Sequence, residues 1–308
     1  MRFTLQLPTD RVSLGAEYGS AAAVMEMARA AEDQGFDAVH VTEHPIPSDA
    51  WMGSGGHHAL DPFVALAFAA AATTRLRLQT PLCVVPYRNP FLTAKAVATL
   101  DSLSGGRVIF GAGAGYLEAE FRALGVDYAA RNELFDEALV VMKQAWTGES
   151  LHAEGHGFSA QGHHALPRPA QRPHPPIWIG GNSRRAIRRA VDHGDGWMPI
   201  PNPARLAERR RTPGLETLDD LRARLGLLRA YAAERARPVP RDVMFMPIGR
   251  SMYDRGEPDP GAEVAQIAEL AELGVTYIGV GFPVDSRREF LRRGERYARE
   301  VAARVAAG

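Results

Sequence analysis

From end to end the chain alternates short apolar runs with helical patterns, and this alternation limits its fold more than any other feature. Residues 3–7 alternate apolar and polar side chains before Pro8, as a short strand does. Residues 20–34 are Ala-rich, carry Val24, Met25, Met27 and Ala31 at helical spacings, and meet the helix-stop residue Gly35. Residues 38–41 form a second strand. Asp61-Pro62 opens a helix with Asp as N-cap and Pro in the first turn. Residues 76–85 are strand-like, and Asn89-Pro90 starts a helix running to Leu103. Residues 107–113 form a strand entering a Gly-rich turn, and helical pattern resumes from Leu117 and over 131–146. Strands follow at 177–181, 195–199, 243–249 and 276–282, with helices over 182–194, 219–235, 260–273 and 286–307. About eight strands, each followed by a helix, predict a closed parallel barrel.

An open doubly wound sheet competes for such a pattern, and it carries a G-x-G-x-x-G turn after its first strand. The candidate here, Gly111-Ala112-Gly113-Ala114-Gly115-Tyr116, has the wrong spacing at its third glycine and follows the fourth strand. The expectation is an α/β fold, a (β/α)8 TIM barrel with insertions, as one domain over residues 1–308. Length alone leaves one domain or two open, since such barrels run to about 250 residues and more. Residues 147–176, rich in Gly, His and Pro, and residues 199–214, rich in Pro and Arg, exceed ordinary connections and are expected to be lids or insertions.

With 36 Lys and Arg against 36 Asp and Glu, the chain has no global field for nucleic acid or an anionic membrane. A single cysteine, Cys83, excludes an internal disulfide and a thiolate metal cluster. The N-terminal segment lacks an apolar core of signal-peptide length, and no apolar run approaches the ~20 residues that span a bilayer. A cytoplasmic location is expected. Lys95 and Lys143 are the only lysines, so a given arginine carries little information.

In a barrel the site forms at the carboxyl ends of the strands. After the second strand comes Glu43-His44-Pro45, where His44 either exchanges protons near neutral pH or is a loop histidine satisfied by backbone. After the third comes a stretch with Pro81, Pro86 and Pro90, whose irregular path suits ligand support rather than a ladder. Cys83 reads as a small core residue. The glycines at 111–115 either let backbone approach a flat ligand or serve a tight turn. After the fifth strand, Gly180-Gly181-Asn182-Ser183 leads into a helix, which is either a phosphate cradle or an ordinary N-cap. Arg184, Arg185, Arg188 and Arg189 either extend it with positive charge or, for at least two of them, form a solvated helix face. The histidines at 57, 58, 152, 156, 163 and 164 show no metal-binding helical spacing, so no metal is expected. A G-x-S-x-G elbow is absent.

Taken in order, VTEH, DPFVALAFAAAATTRLRL, VPYRNPFLTAKAVATLDSLSGGRVIFGAGAGY, EAEFRALG, RNELFDEAL, PPIWIGGNS and DHGDGWMP resemble the bacterial luciferase-like monooxygenase superfamily of flavin- and deazaflavin-dependent oxidoreductases. The resemblance covers most of the chain and implies a ring system in the barrel mouth. Its phosphate would lie at Gly180, Gly181, Asn182 and Ser183, and His44 would stand near the reactive centre. Thr80, Pro81 and Leu82 would supply the bulge under the ring, with Pro81–Leu82 the candidate cis bond. Ala114, Gly115 and Tyr116 would flank the ring, and the 51–58 loop with the long insertions would close over substrate. Trp51, His58, Phe63 and Tyr87 are the expected pocket wall.

The resemblance is strongest to members that use coenzyme F420, which implies hydride transfer to or from a small organic substrate with His44 relaying a proton. The alternative is an FMN-dependent two-component monooxygenase that inserts one oxygen atom from O2. A non-catalytic flavin-binding protein and a metal-dependent hydrolase follow. Some deazaflavin dehydrogenases carry an acid directly after the Gly-rich turn, where this chain has Tyr116-Leu117 before Glu118. A mechanism needing that acid is not expected. A flavin or F420 reductase supplying reduced cofactor and a homodimer are the implied partners.

Overall fold

The computed structural model describes residues 1–249, 256–257 and 259–307; the remainder of the 1–308 domain reading lies outside the described residues. Eight parallel strands form a closed barrel: Arg2–Gln6, Ala38–His40, Arg77–Gln79, Val108–Gly113, Ile177–Gly180, Gly196–Met198, Asp242–Phe245 and Tyr277–Val280. Each pairs with the next, and the ring closes where Arg2 of the first strand stands opposite Tyr277 of the eighth. This is a TIM barrel.

Helices cover the outside, and their starts are set locally. Ser20, Asp61, Asn89, Ser183, Thr217, Asp259 and Ser286 each accept a hydrogen bond from a first-turn N–H. Pro62, Pro90 and Pro260 follow their caps, where a missing N–H leaves no bond unmade.

Alternation along the strands divides the interior in two. Phe110, Ile177, Ile179, Trp197, Val243, Phe245 and Ile278 face the helices, whereas Ile109, Trp178, Met198, Met244 and Tyr277 fill the barrel with Leu82. Polar groups on the first three strands pair inside: the Thr4 hydroxyl donates to Gln79 Oε1 at 3.1 Å and meets His40 Nδ1 at 3.0 Å, whereas the Trp178 Nε1 and Tyr277 hydroxyl are buried without a hydrogen-bond partner among the described residues. Gln79 Nε2 reaches the sulfurs of Met198 and Met244, each at 3.1 Å. Burial pushes the His40 imidazole down to about 3, so this ring is a neutral structural group. Arg2 closes the bottom, 4.1 Å over the Tyr277 ring and 2.6 Å from Asp242.

Residues 76–85 are not one strand. The ladder ends at Gln79, the chain turns inward through Thr80, Pro81 and Leu82 with the Pro81–Leu82 bond cis, and Cys83–Val84 then pairs with Ala112 and Gly113. Thr80 Oγ1 donates to the Gly111 carbonyl and accepts from its N–H, both at 3.0 Å. A Cβ at Gly111 would lie 2.3 Å from the Thr80 carbonyl oxygen, and one at Gly180 would lie 2.2 Å from Leu82 Cδ2. These glycines therefore admit the protein's own turn before any ligand.

Residues 147–176 do not close over the mouth. Leu151–Gly155 and Phe158–His163 form an antiparallel hairpin on the outer flank of the barrel, joining the end of helix Arg131–Thr147 to the start of the fifth strand. Phe158 packs 5.2 Å from Phe91, His156 Nδ1 lies 3.0 Å from Glu137, and Gln171 Nε2 donates to the Val108 carbonyl at 2.8 Å. A connection that leaves a helix end for a strand start belongs to the side and bottom of the barrel. Residues 199–214 leave a strand end and do reach the mouth. The final helix contains a π-helical stretch, Ala298–Ala302. The short helices Asp49–Gly53 and Val12–Glu17, the second of 3-10 type, carry too little periodicity to be read from sequence. No described helix is long and apolar enough to cross a membrane.

Gly111→Ala is expected to lower the unfolding free energy by about 2 kcal/mol in a urea titration. Gly226→Ala, in helix Leu218–Glu234 with open space around it, is expected to raise it by about 0.5 kcal/mol. Equal effects at the two positions would refute the packing assigned to the turn.

Candidate active site

The second strand runs out into Glu43 and His44. Glu43 is buried: its Oε2 accepts the Val84 N–H at 2.6 Å and its Oε1 pairs with Arg88. Burial raises its carboxyl against the pull of Arg88. Glu43 thereby ties the end of the second strand to the inward turn after the third.

His44 Nδ1 stands 3.3 Å from Oε2 of Glu120, whose exposure is 1%. The same oxygen accepts the Tyr87 hydroxyl at 2.7 Å, and Oε1 accepts the Ile46 N–H at 3.4 Å. Burial, and then the bond and charge of Glu120, push the Tyr87 phenol upward, so it remains a donor. Among the described residues, His44 Nε2 has no hydrogen-bond partner. Aromatic rings surround it: the centroids of His57, Trp51 and Tyr116 lie 4.7, 5.5 and 6.5 Å away. Arg209 lies 4.9 Å over the Trp51 ring and donates to the Ser54 carbonyl at 2.8 Å, tying the 199–214 segment to the Trp51 loop. Asp10 adds charge beside His57 and His44; burial raises its carboxyl and lowers the His57 imidazole. An imidazole with one nitrogen on a buried acid and the other open, inside an aromatic cage, is equipped to exchange a proton with a bound hydroxyl or carbonyl.

The turn after the fifth strand is less open than its glycines imply. Gly181, at φ +110°, donates to the Met198 carbonyl at 3.1 Å and accepts from Trp197 Nε1 at 3.0 Å. Asn182 is fully buried. Its N–H donates to Thr212 Oγ1 at 2.9 Å, its Nδ2 to the Ile200 and Pro213 carbonyls at 2.9 and 3.0 Å, and its Oδ1 accepts the Ile200 N–H at 2.9 Å. Asn182 is thus the hub that holds the 199–214 segment and has no N–H to spare for a phosphate. Ser183 Oγ caps the next helix on the Ala186 N–H at 3.1 Å. The N–H groups of Ser183, Arg184 and Arg185 stay outside the helical ladder, as the first N–H groups of a helix do.

Of the expected pocket residues, Trp51 and Tyr87 join the His44 cluster. His58 is exposed and gives its carbonyl to His57 Nδ1 at 3.0 Å, so His57 takes the inward place. Phe63 lies apart, 5.7 Å under the Arg88 guanidinium. Ala114 and Gly115 lead from the fourth strand to Tyr116, and a Cβ at Gly115 would lie 2.5 Å from Val84 Cγ1. Leu82, between Gly113 and Gly180, tops the interior cluster of the barrel. Cys83 is buried with its thiol pushed well up by that burial, as suits a core residue. Among the described residues, no group of three or more His, Cys, Asp or Glu is arranged to hold a metal.

The sequence reading missed Glu120. Tyr116 does occupy the position where an acid was sought, yet an acid reaches the cluster from helix Glu118–Ala123, where Glu120 and Phe121 are the buried pair. The available signal was the adjacency of Glu120 to Phe121, an apolar anchor. Asp10 and Arg209 reach the mouth from loops whose paths no local pattern specifies.

A family model for luciferase-like monooxygenases matches residues 1–255. An uncharacterized protein of Mycobacterium tuberculosis is 30% identical over 293 residues, covering 90% of this chain and 93% of the relative. The F420-dependent hydroxymycolic acid dehydrogenase of the same organism is 32% identical over 174 residues, 56% of this chain and 47% of that protein. The crystal structure of a monooxygenase from Streptomyces bottropensis superposes with a TM-score of 0.76 at 22% identity, covering 99% of both chains.

Asn182→Ala is expected to cost about 2 kcal/mol locally, by stranding the Ile200 N–H and two carbonyls. Trypsin should then cut among Arg205, Arg209, Arg210 and Arg211 roughly tenfold faster than in the parent. An unchanged cleavage rate would remove Asn182 from the role of hub.

Proposed function

Because the chain belongs to the luciferase-like monooxygenase family, we propose that it is an oxidoreductase that uses coenzyme F420 for hydride transfer to or from a small organic substrate. The observation that carries this reading is His44, backed by the buried Glu120 and open at Nε2 within the ring of Trp51, His57 and Tyr116. The F420-dependent relative matching over half of the chain supports the choice of cofactor.

The residues present fit a phosphate-bearing ring cofactor. The first turn after Ser183 offers unpaired N–H groups to a phosphate, with Arg184 and Arg185 exposed beside it for further negative charge. Thr80, Pro81 and Leu82 form the ledge for the ring, flanked by Ala114, Gly115 and Tyr116. A bound deazaflavin supplies a carbon that gives or takes hydride. His44 holds the substrate oxygen and moves its proton at Nε2, while Trp51, tied down by Arg209, keeps water from the reacting atoms. An F420 reductase as supplier of reduced cofactor and a cytoplasmic location complete the reading.

We also propose a homodimer. Helix Pro62–Ala72 is apolar on every side, and Val64 and Phe68 are 59% and 41% exposed, with Leu92 of the neighbouring helix 68% exposed. A helix apolar all round is one that is buried on all sides.

Titration of the purified protein is expected to show saturable binding of F420. Tight FMN binding with oxygen-dependent turnover and no F420 binding would establish the monooxygenase reading instead. His44→Ala should keep F420 affinity within about threefold and lower turnover, across a panel of small ketones, enones and secondary alcohols, by about 10²–10⁴. Unchanged turnover would remove His44 from the chemistry. Light scattering should give twice the chain mass, falling to one chain mass in Val64→Asp/Phe68→Asp; a monomeric parent would refute the dimer.

A further inference from the structure

Glu120 is the carboxylate most deeply buried at the mouth, and three polar groups meet its oxygens. The Tyr87 hydroxyl lies on Oε2 at 2.7 Å, an ordinary length for a donated O–H bond. The Ile46 N–H lies on Oε1 at 3.4 Å, and His44 Nδ1 lies on Oε2 at 3.3 Å. An ionised carboxylate only accepts, so its nitrogen neighbour must be the donor. Which nitrogen of a neutral histidine carries the hydrogen is decided by the bond the other ring edge makes.

We propose that Glu120 is the positioning residue of the site: it takes the Nδ1 hydrogen of His44 and so leaves Nε2 as a lone pair facing the reacting oxygen. The histidine side chain in water prefers the hydrogen on Nε2, so without Glu120 the ring would present a donor where the reaction needs an acceptor. The other titratable groups around His44 do not supply this bond. His57 meets the ring edge-on at 4.7 Å, Tyr116 stands 6.5 Å away, and Asp10 acts on His44 through its charge. Tyr87 holds the same oxygen, Oε2, which keeps the carboxylate from turning away from His44. The catalytic meaning rests on the hydride-transfer reading above, but the state of the ring is a property of the protein alone.

The test uses the full-length protein without cofactor, labelled with ¹⁵N in its histidine rings, and long-range ¹H–¹⁵N correlations at a pH where His44 is neutral. His44, assigned by its loss in His44→Ala, is expected to show a protonated Nδ1 and a bare Nε2. Glu120→Leu should move the hydrogen to Nε2. Glu120→Gln, of unchanged size, offers one acceptor oxygen to three donors and should give a mixture, which keeps the test valid if the Leu variant fails to fold. Glu118→Gln, on the exposed face of the same helix, should match the parent. A parent His44 protonated on Nε2, or no change in either Glu120 variant, would overturn the proposal whatever the cofactor proves to be. With an active substrate, Glu120→Gln should lower kcat about a hundredfold while KM and F420 affinity stay within about threefold. Intact turnover beside a shifted tautomer would instead place the failure in the reading of the reaction.

Discussion

The inward turn at Thr80, Pro81 and Leu82 is the constraint on which the mouth depends. It lies so close to the fourth and fifth strands that Gly111, Gly113 and Gly180 are required beneath it. The double hydrogen bond between Thr80 and Gly111 locks it in place. Because the turn displaces Cys83–Val84 inward, the Val84 N–H lies free for Glu43, and Arg88 follows to neutralise that buried carboxylate. Glu43 immediately precedes His44, so the same anchor sets where the histidine emerges. Tyr87, three residues beyond Val84, then lies within reach of Glu120. A packing device inside the barrel thus aligns residues from three separate connections around one imidazole.

The barrel interior and its mouth differ in chemistry for a physical reason. Inside, every polar side chain that the strands direct inward near His40 finds another, and His40 is held neutral by burial. At the mouth, His44 has a partner on one nitrogen only among the described residues. Satisfied groups make a rigid floor, and an unsatisfied one above it is available for chemistry. The two loops that shelter it are tied to each other by a side chain, Arg209 bridging to Trp51 and Ser54, while Asn182 gathers residues 200, 212 and 213 and a backbone bridge between Asn202 and Leu215 closes the base of the second loop. Closure by side chains permits opening without unfolding a sheet.

Much of this was legible in the sequence because it is local. Strand alternation, the cap at Asp61, the helix start at Asn89 and the Pro that follows each report short-range physics, and the barrel follows from their order. The carboxyl-end rule then pointed to His44 and to the turn at residues 80–82. What local pattern does not carry is the partner of a residue. Glycines read as room for a ligand are occupied by Leu82 and Thr80. Asn182, read as a free donor, is spent on a loop thirty residues downstream. The length of residues 147–176 marks a lid or insertion but not the face it joins; the place of its hairpin between a helix end and a strand start makes it a flank insertion. Glu120 escaped because an acid was sought at one spacing from the glycines, and a single helical turn brings another acid to the same place.

The most direct test is a crystal structure of the protein soaked with F420. The account predicts the phosphate on the N–H groups of Ser183, Arg184 and Arg185 and the ring against Leu82, with His44 Nε2 facing the space above it and Nδ1 still on Glu120. A phosphate bound at another loop, or a ring that leaves Leu82 uncovered with His44 turned away from it, would contradict it.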